Sequence, residues 1–226
     1  MNDPILIVGC ARSGTSMTAG MLSICGAFGG DMFGPHPNNQ KGMFENKELR
    51  TNIVRPYLEK IGCDPKGQFP LPNKRQVFEV STAEITEWRF RVKDAFIKQG
   101  YVDINQPWFY KCPKSCHIWY LWHMAFPKAK WIIVNRKHED IIRSCQKTSF
   151  LRNAFRNMDG WLNWVNTHEQ RFEEIRKCGL DFVDFWPTKM IEGDFEYAKD
   201  LVENLGLKWE EKLVRAFIEP KMFIGN

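Results

Sequence analysis

Hydrophobic positions alternate between two patterns along the chain. Pro4-Ile5-Leu6-Ile7-Val8 is an unbroken apolar run, the signature of a strand buried on both faces of a parallel sheet. Ala129–Asn135 (AKWIIVN) reads as a second strong core strand. Trp108–Cys112 reads as a short strand, ended by Pro113, which has no N–H to give a ladder. Thr188–Ile191 is expected to form a last strand.

Between these runs the period lengthens to that of a helix. Met17, Met21, Leu22, Cys25 and Phe28 predict a first helix, stopped by Gly29-Gly30. Leu49, Ile53, Tyr57 and Ile61 predict another over Glu45 to Ile61, with Pro56 as a kink point. Glu79 to Gln99 carries Ile85, Trp88, Phe90, Val92, Phe96 and Ile97. His117 to Phe126 is expected as a helix capped by Ser115 and closed by Pro127. A further helix after Arg136 turns Ile141, Ile142 and Cys145 inward. Gly160 to Lys177 has the fullest stripe, Trp161, Trp164, Val165, His168, Phe172 and Ile175, which makes His168 a packed imidazole rather than a catalyst. Asp194 caps Phe195 to Leu205, Gly206 stops it, and Trp209 to Phe217 forms a terminal helix before the Glu219-Pro220-Lys221 tail. Residues 31–44 and the Pro/Gly-rich stretch from Gly62 to Lys74 read as loops, the second a surface excursion long enough for a lid.

Strands alternating with helices predict one α/β domain around a predominantly parallel sheet. Ligands of such sheets gather at the carboxyl ends of the strands. The Gly9 to Ser16 loop, Lys111 and Arg136 all stand at such ends, so three anion-binding features converge on one edge.

Charge sharpens this picture. The formal charge of +5, from 32 Lys and Arg against 27 Asp and Glu, favours an anionic ligand. No lysine/arginine block of nucleic-acid type occurs, and no apolar run is long enough for a membrane span. Nucleic-acid and membrane partners are therefore not expected. The seven cysteines have no metal-ligand rhythm, since Cys112 and Cys116 lack a second pair downstream. Buried free thiols in a reducing, cytoplasmic setting are expected, with no metal.

Gly9-Cys10-Ala11-Arg12-Ser13-Gly14-Thr15-Ser16 nearly matches G-x-x-x-x-G-K-[ST], the loop whose amides cradle phosphates. Thr15 stands where the lysine of a nucleoside triphosphate enzyme belongs, and the cation is Arg12 instead. The loop alone is compatible with an ordinary strand-to-helix turn. Glu45, at a helix entrance, is compatible with a simple dipole partner.

Taken in order, these segments resemble the sulfotransferases that use 3'-phosphoadenosine 5'-phosphosulfate (PAPS), bacterial and glycan members in particular. Arg12-Ser13-Gly14-Thr15-Ser16 resembles their 5'-phosphosulfate loop. Ile132-Ile133-Val134-Asn135-Arg136, with Asp140 and Ser144 following, resembles their 3'-phosphate motif. Lys111-Cys112-Pro113 is similar to the K-x-P segment, Phe126–Lys130 to F-P-x-A-K, and Gly42-Met43-Phe44-Glu45 to the G-[YF]-x-E segment. Met190–Phe195 is a poor version of the later Y-E-D-L stretch, and Lys137-His138 replaces the usual residues after the arginine.

The resemblance implies a P-loop NTPase-like, three-layer α/β fold over residues 1–226, with acceptor or lid loops at 30–45 and 62–78. It implies PAPS as donor, PAP as product, and a small-molecule or glycan acceptor with a hydroxyl or amine. Arg12, Ser13, Gly14, Thr15, Ser16, Arg136 and Ser144 would bind the donor, and Glu45, Lys111 and Arg12 would be catalytic. Glu45 would serve as base if burial or an apolar wall such as Phe44 raised its pKa, with His36 and His117 as alternatives. A P-loop nucleotide or phosphometabolite kinase is the second reading, and a non-catalytic nucleotide-binding protein the third.

Overall fold

The N-terminal apolar run becomes β1 (Ile5–Gly9), one of the two inner strands of the sheet, because it has core partners on both faces. The computed structural model describes residues 2–218, and the Glu219-Pro220-Lys221 tail lies outside them. β2 (Phe109–Lys111), β3 (Lys130–Val134) and β4 (Phe182–Phe185) complete a four-stranded sheet in the order β2-β1-β3-β4, every pair parallel. Ile7 is in register with Lys111 and Gly9 with Val134, so the ends of three strands open at one edge.

Helices cover both faces. Leu6 and Val8 point into a core with Trp88, Trp122 and Phe172, from α4 (Thr82–Lys98), α5 (Trp119–Ala125) and α7 (Met158–Lys177). Ile5 and Ile7 point into a second core with Met21, Val202 and Val214, from α1 (Thr15–Ile24), α9 (Glu196–Asn204) and α10 (Glu211–Phe217). The period-2 alternation of a strand thus feeds two cores. α2 (Arg55–Lys60), α3 (Lys74–Phe78), α6 (His138–Lys147) and α8 (Thr188–Ile191) fill the connections. No described helix is long and apolar enough to cross a membrane.

The structure departs from the sequence pattern in several places. Thr188–Ile191 is helical, and the fourth strand is Phe182–Phe185. α1 stops at Gly26, whose φ of 101° suits glycine, rather than at Gly29-Gly30. Ser115 caps nothing: it is buried in a 3₁₀ segment, Pro113–Ile118, that precedes α5. The Gly62 to Lys74 stretch is tied to the body, with Cys63 buried and the Gly67 carbonyl accepting from Trp164 Nε1 at 2.9 Å. On α4, Trp88, Val92, Ala95 and Phe96 face inward, while Phe90 and Ile97 are exposed. All seven cysteines are free, and Cys178 is the exposed one.

The Glu45 to Ile61 segment holds a π-helical stretch, Leu49–Val54, ahead of α2. Pro56 has no N–H for the Asn52 carbonyl four residues earlier, and Arg91 donates to that carbonyl instead. The Arg55 amide reaches back five residues to the Arg50 carbonyl.

Candidate functional site

A cavity of about 870 Å³ opens at the carboxyl ends of β1, β2 and β3. Among the described residues, nine Lys and Arg line it against one carboxylate, Glu45. Its floor is the loop between β1 and α1. A Cβ on Gly9 would lie 2.7 Å from both Ser13 Oγ and the Val134 carbonyl, so only glycine lets the loop fold back on its strand. Gly14 has φ 108°, and the first amides of α1 beyond it have no carbonyl of their own helix to meet. Those amides and the helix dipole favour an anion.

Arg12 has φ 73°, a sparsely populated region for a side chain of its size. Three contacts hold it there. Its Nε donates to Ser144 Oγ at 3.0 Å, its guanidinium donates to the Asn38 carbonyl at 2.8 Å, and Arg136 donates to its own carbonyl at 3.0 Å. The segment carrying Asn38 and Asn39 crosses the loop, with Asn38 donating to Ser149 Oγ and Asn39 to Ser16 Oγ, each at 2.8 Å. Ser16 in turn donates to the Met43 carbonyl at 3.1 Å.

Lys111, on the last position of β2, is buried. Its ammonium donates to Glu45 Oε1 at 3.0 Å and to the Met43 carbonyl at 3.1 Å. Arg50 stands 3.2 Å and Lys114 4.0 Å from Glu45 Oε2. Burial pushes the Glu45 carboxyl up, but Lys111, Lys114 and Arg50 outweigh it and bring its pKa down to about 2. The expected upward shift from an apolar neighbour is thereby reversed. Phe44, at φ 54°, lays its ring edge-on against Phe217. The helix after Glu45 is capped by Asn46, whose Oδ1 accepts from the Leu49 amide at 3.1 Å.

The two alternative bases separate. His36 lines the cavity, whereas His117 is not among the lining residues. Burial, then His168, Arg171 and Lys114, hold the His117 pKa well below its ordinary value. His117 Nε2 lies 3.1 Å from His168 Nε2, and His168 Nδ1 lies 2.8 Å from the Trp164 carbonyl, to which it donates. With Cys116 these histidines place three potential metal-ligand atoms within 4.8 Å of one another, a cluster the cysteine spacing gave no hint of.

Of the sequence-predicted residues, Arg12, Gly14, Thr15, Ser16, Glu45, Lys111, Arg136 and Ser144 all line the one cavity. Ser13 does not: its side chain is buried beneath Gly9. Arg50, Arg55, Lys114, Asn38 and Asn39 also line it and were not anticipated. Lys114 had a signal, its place just after Lys111-Cys112-Pro113. Arg50 and Arg55 had none, since an α-helix would point them apart.

Residues 4–211 match the model of the family described as Sulfotransferase family. Among solved structures, the sulfotransferase STF9 from Mycobacterium avium superposes with a TM-score of 0.58 at 13% identity, covering 96% of this chain and 66% of that one. The sulfotransferase domain from the Synechococcus PCC 7002 olefin synthase superposes at 0.55 with 14% identity, covering 100% and 81%. The chain spans just under two thirds of the length of the mycobacterial protein. At these identities the likeness is one of fold. No curated protein matches the sequence.

Proposed function

The chain belongs to the sulfotransferase family, and on that premise we propose that it transfers a sulfuryl group from PAPS to a hydroxyl or amine acceptor, releasing PAP. The observation that carries this reading is the contact between Arg12 and Ser144, 132 residues apart, with Arg136 bonded to the same loop. One cluster therefore offers cations and hydroxyls suited to both phosphate ends of such a donor. The β1–α1 loop acts as the P-loop of a three-layer fold. Residues 2–218 form one sulfotransferase-like unit, with the segments at 30–45 and 62–78, the second a loop that ends in α3, on the acceptor side. Six buried free thiols favour a cytoplasmic setting.

The residues divide the work as follows. Arg12, Ser16 and the amides from Ser13 to Thr15 hold the 5' side, and Arg136 and Ser144 hold the 3'-phosphate. As the acceptor oxygen or nitrogen bonds to sulfur, the bond from sulfur to the phosphate oxygen breaks. Lys111 meets the charge gained by that oxygen, and Glu45 takes the acceptor proton. When Lys111 turns toward the leaving oxygen, Glu45 loses one of its three cations and its pKa rises. Donor binding thus makes Glu45 a better base.

The assignment of Arg136 is tested by comparing PAP with AMP, which lacks the 3'-phosphate. Arg136→Ala should weaken PAP by about 1.5–3 kcal/mol, one charged hydrogen-bonding group, and leave AMP nearly unchanged. Calorimetry showing equal losses for both would move Arg136 to the adenosine or the scaffold. Sulfuryl transfer should also persist after exhaustive chelation, because the Lys and Arg side chains and loop amides of the cavity supply the positive charge that a nucleotide kinase takes from Mg²⁺. A requirement for Mg²⁺ restored by adding the ion back would favour the kinase reading.

A further inference from the structure

The cavity holds more positive charge than the donor assignment uses. Assigning Arg12, Lys111 and Arg136 to the donor leaves Lys41, Arg50, Arg55, Lys66, Lys114 and Lys147 lining the same cavity, with Glu45 as the one carboxylate there among the described residues. Arg50 and Lys114 already share Glu45 with Lys111. Arg55 shares nothing: its Nε is buried and has no hydrogen-bond partner among the described residues, and its guanidinium has no ion pair there. Arg55 as a whole is half-buried, but this one N–H is shut away from water, and a buried donor without an acceptor is costly unless a ligand supplies one.

Its position is built by the π-helical stretch. In an α-helix, residues five apart point about 140° away from each other. Here the Arg55 amide bonds to the Arg50 carbonyl, one residue beyond the α-helical partner, and both side chains reach the cavity. π-bulges of this kind concentrate at functional sites.

We propose that the acceptor is a hydroxyl compound that itself carries an oxyanion, a carboxylate, sulfate or phosphate, and that Arg55 is the residue that receives it. The forked guanidinium matches all three groups. The same field disfavours an amine acceptor, which enters as an ammonium near neutral pH and meets cations. This inference rests on the PAPS reading, which assigns Arg12, Lys111 and Arg136 to the donor.

The test uses protein saturated with PAP, so that the donor phosphate sites are filled. Two matched pairs are titrated, glucuronate against glucose and 4-hydroxybenzoate against phenol, and followed by saturation-transfer NMR. At least one anionic member should bind ten-fold or more tightly than its neutral partner. Arg55→Gln should abolish that preference and leave PAP affinity unchanged, and Arg55→Lys should restore part of it. Equal binding within both pairs, or a preference that survives in Arg55→Gln, overturns the proposal. A loss of PAP affinity in Arg55→Gln also overturns it, by moving Arg55 to the donor. Failure of the wild-type chain to bind PAP counts against the donor reading instead. The same pairs titrated into PAP-free wild type and Arg55→Gln then decide whether Arg55 selects oxyanions.

Discussion

Lys111→Met should lower the single-turnover rate of sulfuryl transfer by about 10²- to 10³-fold, the usual effect of removing one preorganised donor from a developing oxyanion. Methionine keeps the length and apolar stem of the side chain and removes the ammonium that bonds to Glu45 and to the Met43 carbonyl. The fold should survive, because Arg50 and Lys114 still flank the Glu45 carboxylate. Donor affinity should fall far less than the rate, since the charge met by Lys111 grows as the bond to sulfur breaks. Rapid-quench measurement at saturating PAPS, with PAP affinity and thermal melting in parallel, separates these effects. A parallel loss of affinity and rate would make Lys111 a ground-state binding residue. An unchanged rate would remove it from the chemistry.

The elements that could be read from the chain are those whose local pattern matches their final surroundings. Ile5 to Val8 has no polar position because it feeds a core on each face, and its strand was legible for that reason. Phe182–Phe185 was hidden by Asp184, whose carboxylate accepts from Asn135 and Arg176 beside the sheet edge. A strand at the edge keeps one side partly in water and loses the unbroken apolar run. Thr188–Ile191 has the composition of a short strand, but Pro187 at φ −59° starts a helical turn there.

The site divides in the same way. Residues borne on strand ends and on the Gly9 to Gly14 loop were legible, because a parallel sheet brings such ends together whatever lies between them. The electrostatic state of Glu45 was not. Its sequence neighbour Phe44 suggested an apolar wall, yet the three groups that set its pKa come from positions 50, 111 and 114. The placement of Arg55 depends on a change of hydrogen-bond period, which side-chain pattern does not report.

Glu45→Gln should cost about 100-fold or more in single-turnover transfer, within the range for losing a positioned general base. It should also change stability with a sign fixed by the pKa. The folded carboxyl titrates near 2 against an ordinary 4.5, so its stabilisation is fully present above pH 4.5 and is lost as pH falls through 2. That difference is worth roughly 3 kcal/mol, at the lower edge of the cost of breaking a buried ion pair. Glutamine keeps the shape but leaves Lys111, Arg50 and Lys114 facing one another with no anion among them. The variant should therefore be less stable than wild type by roughly 3 kcal/mol at pH 7, with the gap closing as pH falls toward 2. PAP should bind the variant at least as tightly, because the cavity has lost the one carboxylate that lines it among the described residues. Denaturant unfolding at pH 7 and pH 3 checks the first expectation, and calorimetry with PAP the second. Coincident unfolding curves for the two proteins at both pH values would show that the ion cluster contributes nothing to the fold. A near-normal transfer rate with both substrates saturating would leave Glu45 as the counter-ion that holds Lys111 in place, and His36, the one of the two alternative bases that lines the same cavity, would be the next to test.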